Sequence, residues 1–431
     1  MRIRKSSLVE PGRNTLYGAF AVAVSFFVFA YSFRIGQISI LMYYAVWLPL
    51  VLVDYRFALG RLARSPQLLA FAFLACLSYF WSDVPDVTLR AALQYLTHVV
   101  CAVIAARVID ARTLCIGAIA GIAVILGYSM LQGGYVYDAL DGSYSFVGAF
   151  GSKNQLGFYA SLGVLLGCYF ALFLTRSRIA RLLALGVVAL SAVSLVLSQS
   201  ATSMLATPAA IAMVIAIAGL EAFSPTHRRI FFAAGLALAG TAVLAALNVG
   251  AVDMVLGAFG KDSTLTGRTY LWQQGIDAAA NTPLLGVGYA AYWVQGFSEA
   301  ERLWNEFYIP ARTGFHFHNT YIEALVETGY VGAVMIVLPL LAILRLCIAR
   351  LLSDGDWTEA LLQTGLLALL VIRSFFEVDI LQPYVIGSFL LYYCWARAKE
   401  PAALRRPGSA ADWRPPSPSI PSNGIGPGIQ A

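Results

Sequence analysis

Charged side chains are scarce in this 431-residue chain. Asp, Glu, Lys and Arg together make up 12% of it, whereas hydrophobic residues make up 59%. Soluble domains carry about 25% charged residues, so the composition excludes an ordinary soluble protein and predicts a polytopic membrane protein. The six cysteines all fall within apolar runs and form no Cys-x-x-Cys pair or Cys/His cluster. Neither a disulfide framework nor a zinc site is therefore supported.

Several sequence signatures are also missing. No phosphate-cradling P-loop or dinucleotide fingerprint occurs, and no unit repeats with a period of 20–50 residues. Nucleotide-driven chemistry is therefore unsupported, and we expect no cofactor and no nucleic-acid partner. The basic N-terminus precedes an apolar run but no small-residue cleavage site follows, so we interpret this run as an uncleaved first helix.

Apolar runs of the length that crosses a bilayer, about 17–25 residues, recur along the chain. They predict an all-α fold with about twelve transmembrane helices. The predicted spans are residues 16–33, 37–53, 67–81, 90–107, 114–132, 154–174, 180–198, 203–220, 230–248, 320–344, 358–375 and 382–396.

The distribution of Lys and Arg predicts the orientation, because cytoplasmic loops carry an excess of both. With twelve spans and both termini inside, only eight of the 29 basic residues lie outside. These external cations run against the general bias, so some of them are candidates for a function. They are Arg34, Arg90, Lys153, Lys261, Arg268, Arg302, Arg312 and Arg373.

The loops divide the chain into four parts: spans at 1–248, an external loop at 249–319, spans at 320–399, and a Pro-rich cytoplasmic tail at 400–431, which we expect to be disordered. A connection as long as 249–319 requires structure of its own. Within it a helix is predicted from a Thr266 cap to about residue 280. Its apolar face, Leu271, Trp272, Ile276 and Ala279, is expected to lie on the outer membrane surface.

The most informative stretch is residues 314–332, GFHFHNTYIEALVETGYVG. His316 and His318 precede a predicted helix, for which Thr320 and Glu323 form a capping-box pattern. The partial positive charge of a helix N-terminus disfavours an imidazolium, and nearby arginines act in the same direction. A neutral histidine can accept a proton, while the same helix end and arginines attract a phosphate. This combination suits transfer of a group from a phosphate to a hydroxyl.

Other interpretations of these residues stay open. The two histidines are equally compatible with hydrogen-bonded surface residues. A His-x-His pair is also found at metal sites, although no third ligand stands nearby in the sequence. Glu323 is better explained as a helix cap than as a catalyst, whereas Glu327 lies deeper, where an ionisable group is costly. Two tryptophans, Trp293 and Trp304, fit either an interfacial belt or a platform for stacking sugars.

Several motifs together resemble a known family. They are FGSKNQLG at 150–157, LSQS at 197–200, TGRTYLW at 266–272, PLLGVGY at 283–289, and HFHN at 316–319 with ETGYVG at 327–332. The set, covering about residues 145–335, resembles the shared domain of O-antigen ligases and Wzy-type polysaccharide polymerases, and in particular the ExoQ-like exopolysaccharide polymerases. One departure is Ala201, where the family often carries a basic residue.

The resemblance implies a GT-C-type, metal-independent, inverting glycosyltransferase. Its donor would be a glycan on undecaprenyl diphosphate, and its acceptor a glycan or a lipid-linked glycan. His318 would be the catalytic base, with His316 beside it. The residues expected to bind substrate are Arg268, Lys153, Arg312, Arg373, Asn319, Trp272 and Glu327.

The resemblance also implies a location and partners. We expect a multi-pass protein of the bacterial inner membrane with both termini cytoplasmic, and a flippase and chain-length regulators as candidate partners. Two other functions stay open. One is an O-antigen ligase that transfers glycan to lipid A-core. The other is a secondary transporter, for which His98 is the one ionisable candidate deep within a span.

Overall fold

The structure, a computed structural model, describes residues 4–138, 143–248, 267–353 and 357–400. Helices dominate the described residues. In chain order they are α1 Ser6–Val9, α2 Thr15–Ile35, α3 Gln37–Trp47, α4 Pro49–Val53, α5 Tyr55–Ala58, α6 Gly60–Arg64, α7 Ala70–Leu77, α8 Pro85–Val108, α9 Ala111–Gln132, α10 Lys153–Tyr169, α11 Arg178–Ser198, α12 Ala201–Gly219, α13 Pro225–Asn248, α14 Arg268–Asn281, α15 Ser298–Glu306, α16 Thr320–Leu351, α17 Trp357–Ser374 and α18 Ile386–Ala398.

Shorter elements complete the fold. Single 3-10 turns occupy Pro66–Leu69, Ser78–Phe80 and Leu220–Ala222, and a π turn at Phe170–Leu174 ends α10. Within the first long loop, strands β1 Tyr135–Asp138 and β2 Ser143–Phe146 form an antiparallel hairpin in which Tyr135 pairs with Phe146.

Each of the twelve predicted spans falls on helix. Among the described residues, eight helices are long and apolar enough to cross a membrane: α2, α8, α9, α10, α11, α12 with the turn after it, α13 and α16. Two apolar segments, Gln37–Val53 and Pro66–Phe80, are shorter. The last two predicted spans correspond to α17, which carries Glu359 and Arg373, and to the 13-residue α18. The all-α membrane fold is therefore confirmed, while the count of twelve spans stays a prediction.

Small residues let the helices approach closely. Gly117 and Gly121, one turn apart on α9, lie against the backbone of α2 at Ala19 and Ala23. An added Cβ would collide with Ala19 O at position 117 and would be tightly packed against Ala23 at position 121. In a bilayer, such small-xxx-small patterns favour helix association through close packing. The same device recurs between α10 and α11, where Gly163 faces Ser191.

The external region has a core of its own. Leu271 and Ala279 of α14, Leu303 and Trp304 of α15, and Phe317 are buried in one cluster. Trp304 is 1% exposed, so it serves neither as a belt residue nor as a sugar platform. Trp293 is half-buried and contacts the rings of Phe315 and Phe317.

The face predicted for α14 is partly wrong. Leu271 and Ala279 are buried, but Ile276 is 47% exposed, and Gly275 takes its place in the interface, against Ile322 and Phe317. The glycine allows α14 to lie close to α16, so its buried face contacts protein. The proposed Thr266 cap lies outside the described residues, and the position before the helix is Gly267, in the left-handed conformation.

Helix α16 is broken near its start. Gly329 has φ 63° and ψ −169°, and the turn at residues 283–288 inserts into the break. Tyr330 N–H donates to Pro283 O at 2.8 Å, and Gly288 N–H donates to Glu327 O at 2.9 Å. The PLLGVGY and ETGYVG motifs are therefore the two halves of one backbone junction.

Buried ion pairs join the other ends of the helices. Glu400 accepts a hydrogen bond from Arg61 Nε at 2.8 Å and pairs with Arg107 Nη1 at 2.5 Å. Arg397 of α18 pairs with Glu359 of α17 at 2.6 Å. Glu400, at the predicted start of the tail, is thus held in the bundle, while residues 401–431 lie outside the described residues.

Candidate active site

The candidate site forms where α14 and the start of α16 meet the loop between α17 and α18, residues 375–385. Arg268, in the first turn of α14, donates from Nη1 to Phe376 O at 2.7 Å and from Nη2 to Glu377 Oε1 at 3.0 Å. From the start of α16, Thr320 Oγ1 donates to Glu377 O at 2.7 Å. Hydrogen bonds from α14 and from the start of α16 therefore hold the backbone of the loop at Phe376 and Glu377, and Arg268 also binds the Glu377 carboxylate.

Glu377 is the residue that sequence reasoning missed. Its second oxygen, Oε2, lies 3.4 Å from His318 Nδ1. Burial alone would raise the pKa of this carboxyl, but Arg268 and His318 outweigh burial and hold the pKa below its ordinary value. Glu377 is therefore an anion that faces a guanidinium on one side and an imidazole on the other. The available signal was an acidic residue in a short predicted external loop, four residues after Arg373.

The two histidines are adjacent but not equivalent. Their ring centroids lie 4.2 Å apart, and His316 Nδ1 accepts a hydrogen bond from the backbone N–H of His318 at 3.0 Å. Enclosure by protein, reinforced by His318 and Arg268, lowers the pKa of His316 to about 3. His316 is therefore neutral with its proton on Nε2, and in that tautomer neither of its nitrogens is available as a base.

His318 has the opposite arrangement. A carboxylate beside Nδ1 favours the tautomer with the proton on that nitrogen, which leaves Nε2 able to accept another. The side chain is 23% exposed, whereas that of Glu377 is 5% exposed. A substrate can thus reach the His318 ring, while the Glu377 carboxylate that orients this ring is shielded from solvent. His318 also has φ 52°, an uncommon backbone conformation of the kind that clusters at functional sites.

The predicted cap of α16 is wrong by one residue. The N-cap is Asn319, whose Oδ1 accepts from the backbone N–H groups of Tyr321 and Ile322. Its Nδ2 donates to Phe375 O at 3.1 Å, so the Asn319 amide joins α16 to the 375–385 loop. Glu323 does not complete a box with Thr320. Instead its Oε2 accepts from Phe317 N–H at 2.8 Å and holds the histidine segment against the helix.

The other predicted cations lie in different surroundings. Arg312 pairs with Glu301 at 2.9 Å and its side chain is 46% exposed. Arg302, on α15, pairs with Glu299 and Glu306. All three ion pairs lie within the external region, on partly or fully exposed side chains.

Arg373 is buried between helices. Its Nε donates to Asp379 at 2.6 Å, its Nη1 to Ser203 Oγ at 2.5 Å, and its guanidinium lies 4.2 Å from the centre of the Phe158 ring. Ser203 lies in the first turn of α12, which begins at Ala201, so the Arg373 guanidinium reaches the start of this helix. Lys153 is the first residue of α10, capped by Ser152.

Trp272 and Glu327 flank the site. Trp272, one turn after Arg268, lies 6.2 Å from the ring of Phe376, and its buried indole N–H has no hydrogen-bond partner among the described residues. Glu327 is buried beside the α16 break, where its carbonyl accepts from Gly288. Trp272 is therefore near the Arg268 group, whereas Glu327 belongs to the backbone junction.

A metal site is also possible in geometric terms. One ligand atom from each of His316, His318 and Glu377 lies within 4.8 Å of the other two. The expectation that no third ligand stands near the histidine pair is thus wrong in space, because Glu377 is 59 residues beyond His318 in sequence. Arg268 nonetheless already neutralises the same carboxylate, and a metal ion there would face this guanidinium.

His98 lies deep in α8, away from these groups. Its ring is fully buried and contacts Phe29, Tyr43, Tyr384 and Phe389. This packing is that of a core residue, which removes the main support for the transporter alternative.

Comparison with known proteins gives two matches. A model of the O-antigen ligase family matches residues 186–337. The "Exopolysaccharide production protein ExoQ" of Rhizobium meliloti (strain 1021) is 54% identical over 405 residues, which cover 94% of this chain and 93% of that protein. The resemblance inferred from the motifs at 145–335 is confirmed and extends over nearly the whole chain.

Proposed function

Because this chain belongs to the O-antigen ligase family, we propose that it is an exopolysaccharide polymerase, a membrane glycosyltransferase that joins glycan repeat units carried on undecaprenyl diphosphate. The observation that carries the proposal is the His318–Glu377–Arg268 cluster at the start of α16. A base, its orienting carboxylate and a phosphate-binding cation stand together there.

The reaction requires one proton transfer and one displacement. His318 Nε2 removes the proton from the acceptor hydroxyl as its oxygen attacks the anomeric carbon of the donor sugar. The bond from that carbon to the diphosphate oxygen breaks, and the lipid diphosphate leaves with the electron pair. Attack opposite the leaving group inverts the anomeric centre. The negative charge of Glu377 stabilises the imidazolium that forms on His318.

Arg268 is suited to the leaving group. Of the five N–H groups of a guanidinium, two are engaged by Phe376 O and Glu377, and three remain for a phosphate. A fixed cation stabilises charge that develops on a diphosphate, and the Trp272 indole one turn away offers one more donor. On this account no metal ion is needed.

The location of the site follows from the substrate. A polyprenyl tail stays in lipid, so protein side chains can bind its diphosphate only near the membrane surface. In the orientation predicted from Lys and Arg, the cluster lies on the outer side of the inner membrane. Nucleotide sugars are absent there, so the donor's own diphosphate bond must supply the free energy of polymerisation.

The name of the Rhizobium meliloti relative refers to exopolysaccharide production, which favours polymerisation over ligation to lipid A-core. The test is a deletion strain complemented with wild-type protein or with His318→Ala, followed by analysis of lipid-linked glycans. Single repeat units that accumulate on lipid in both the deletion and His318→Ala strains are expected. Long unattached chains would indicate a ligase, and unchanged glycans with a lost solute uptake would indicate a transporter.

A further inference from the structure

A groove lies beside Tyr384 of the 375–385 loop. This open groove of about 560 Å³ runs between the first half of α3 and the first half of α8. Its lining includes Ile38, Leu41, Tyr44, Leu93, Thr97 and Tyr384. This volume is within the range of small-molecule sites, roughly 300–1,000 Å³. We call it the α3–α8 groove.

The walls of the α3–α8 groove are apolar and open to the surroundings. Ile38 is 73% exposed, Leu41 65% and Leu93 48%. These side chains lie in segments expected to cross the membrane, so the groove faces acyl chains. Its lining runs along about two turns of α3, or about 10 Å, and about one turn of α8. This length suits the first part of one long hydrocarbon chain.

The floor of the groove is polar and includes Tyr384, a residue of the loop that carries Glu377. Tyr44 Oη is 2.6 Å from Thr97 Oγ1 and 2.7 Å from Tyr384 Oη. Tyr384 has φ 57°, a costly backbone conformation for an aromatic residue. It lies seven residues after Glu377 on the same loop, so the two are at most about 25 Å apart. A ligand in the groove therefore touches the loop that orients His318.

A cation marks one end of the groove. Arg90 precedes Leu93, Gln94 and Thr97 of α8 by three, four and seven residues, which puts all four on one helix face. Arg90 is exposed and makes no ion pair with any described residue. Asp86, one turn before it on α8, is no exception. In the predicted orientation Arg90 stands at the outer membrane surface, where the phosphate of a lipid would lie.

We propose that the α3–α8 groove binds a second polyprenyl lipid, the one whose diphosphate carries the acceptor glycan. Its phosphate would meet Arg90, and the start of its chain would lie between Leu41 and Leu93. The inference rests on the proposed function, since a polymerase that joins two lipid-borne glycans must hold both lipids while only one diphosphate is at Arg268.

The test is site-specific photocrosslinking of the full-length protein in lipid nanodiscs, with labelled undecaprenyl phosphate as probe. A photoreactive residue replaces Leu41 in the groove or, as a control, Val124 of α9, which is 61% exposed. Crosslinking at position 41 is expected to exceed that at 124, and Leu93→Trp, which fills the groove, should reduce it about tenfold. Size-exclusion and thermal-unfolding profiles confirm that the Leu93→Trp protein is folded.

Arg90 is tested with two probes. With the photoreactive residue at position 41, undecaprenyl phosphate should crosslink about tenfold more than undecaprenol. Arg90→Ala should abolish that preference, and Arg90→Lys should restore most of it. Equal crosslinking at 41 and 124, or equal competition by phosphatidylglycerol, would show only bulk or unselective anionic lipid and would overturn the proposal.

Because this assay measures binding without glycosyl transfer, its failure is distinct from failure of the proposed function. If the protein polymerises but shows no selective crosslink at position 41, only the proposal for the groove is wrong. If it crosslinks selectively but never polymerises, the proposed reaction is wrong.

Discussion

A histidine acts as a base only if one ring nitrogen is left without a proton. In this protein the contacts of the two neighbouring histidines favour opposite tautomers: His316 Nδ1 accepts from the backbone N–H of His318, whereas His318 Nδ1 lies 3.4 Å from a Glu377 carboxylate oxygen. The residue pattern alone identified both histidines without distinguishing them, and only the family resemblance implied that His318 is the base. The structural distinction depends on a backbone donor and on a carboxylate from another loop. Arg268 was likewise predicted as a cation for phosphate, while its contact with Glu377 was not foreseen.

The role of Glu377 can be separated from that of His318. His318→Ala removes the base and should lower the rate of polymerisation by about 10²–10⁴-fold. Glu377→Gln keeps the size of the side chain but can no longer stabilise an imidazolium, so it should lose at least about tenfold. Initial rates with a lipid-linked repeat unit measure both.

The matched control is Glu306→Gln, which alters an exposed carboxylate paired with Arg302 and should leave the rate near that of the wild type. A Glu377→Gln protein that polymerises as fast as the wild type would remove Glu377 from the mechanism.

Acid should destabilise the folded protein through His316. Its pKa falls to about 3 from 6.5, so between these values the unfolded chain binds a proton that the folded chain does not. The stability linked to this group is therefore fully present above pH 6.5 and is lost as the pH falls toward 3. Glu377, with a lowered pKa, acts in the same direction below its ordinary 4.5.

We therefore expect His316→Asn to flatten the fall of the thermal unfolding midpoint between about pH 7 and pH 5. Tryptophan fluorescence in detergent measures the midpoint. The control is His227→Asn, at an exposed histidine near the start of α13, which should follow the wild-type curve. Parallel curves for His316→Asn and the wild type would contradict the assignment.

At the scale of elements, the length of the apolar runs was enough to predict helices, and every predicted span falls on helix. The reason is that a membrane helix is specified largely by its own composition. The caps and the break in α16 were not predictable in the same way. Asn319 rather than Thr320 caps α16 because its amide also bonds to Phe375, a tertiary contact. The break at Gly329 depends on the turn at residues 283–288, some forty residues away.

The α16 junction should tolerate no side chain at Gly329. Its φ of 63° disfavours other residues, and a Cβ would collide with the backbone of Leu284. Gly329→Ala should lower stability by about 1–3 kcal/mol and shift Glu327 and the site with it. Thermal unfolding and polymerisation rate report the two effects.

Gly240→Ala is the matched control, because this glycine lies within helix α13 and has nothing within 4 Å of an added Cβ. It should be neutral or slightly stabilising. Equal behaviour of the two alanine variants would show that the junction does not constrain position 329.

For the whole molecule, the balance of Lys and Arg predicted the orientation but not how the helices enclose the site. The bundle brings together Arg268, His318 and Glu377, which are separated by 50 and 59 residues in the sequence. Between them, Trp293 and Trp304 build the core of the external region and do not mark the membrane surface. Hydropathy alone does not encode such contacts, and this explains why the carboxylate was missed.

The orientation itself is testable with single cysteines in a cysteine-free background. Thr313→Cys, on an exposed part of the external region, should react with a membrane-impermeant maleimide added to intact cells with a permeabilised outer membrane. Thr226→Cys, exposed at the start of α13, should react only after the inner membrane is lysed. The reverse pattern would place His318 on the cytoplasmic side and exclude the proposed donor.

The most direct measurement is the rate of undecaprenyl diphosphate release by the purified protein in liposomes, with a lipid-linked repeat unit and EDTA present. We expect one lipid diphosphate released for each linkage formed, an unchanged rate in EDTA, and loss of release in His318→Ala. Inhibition by EDTA that zinc reverses would instead make His316, His318 and Glu377 a metal site. If the His318→Ala protein released undecaprenyl diphosphate at the wild-type rate, His318 could not be the catalytic base.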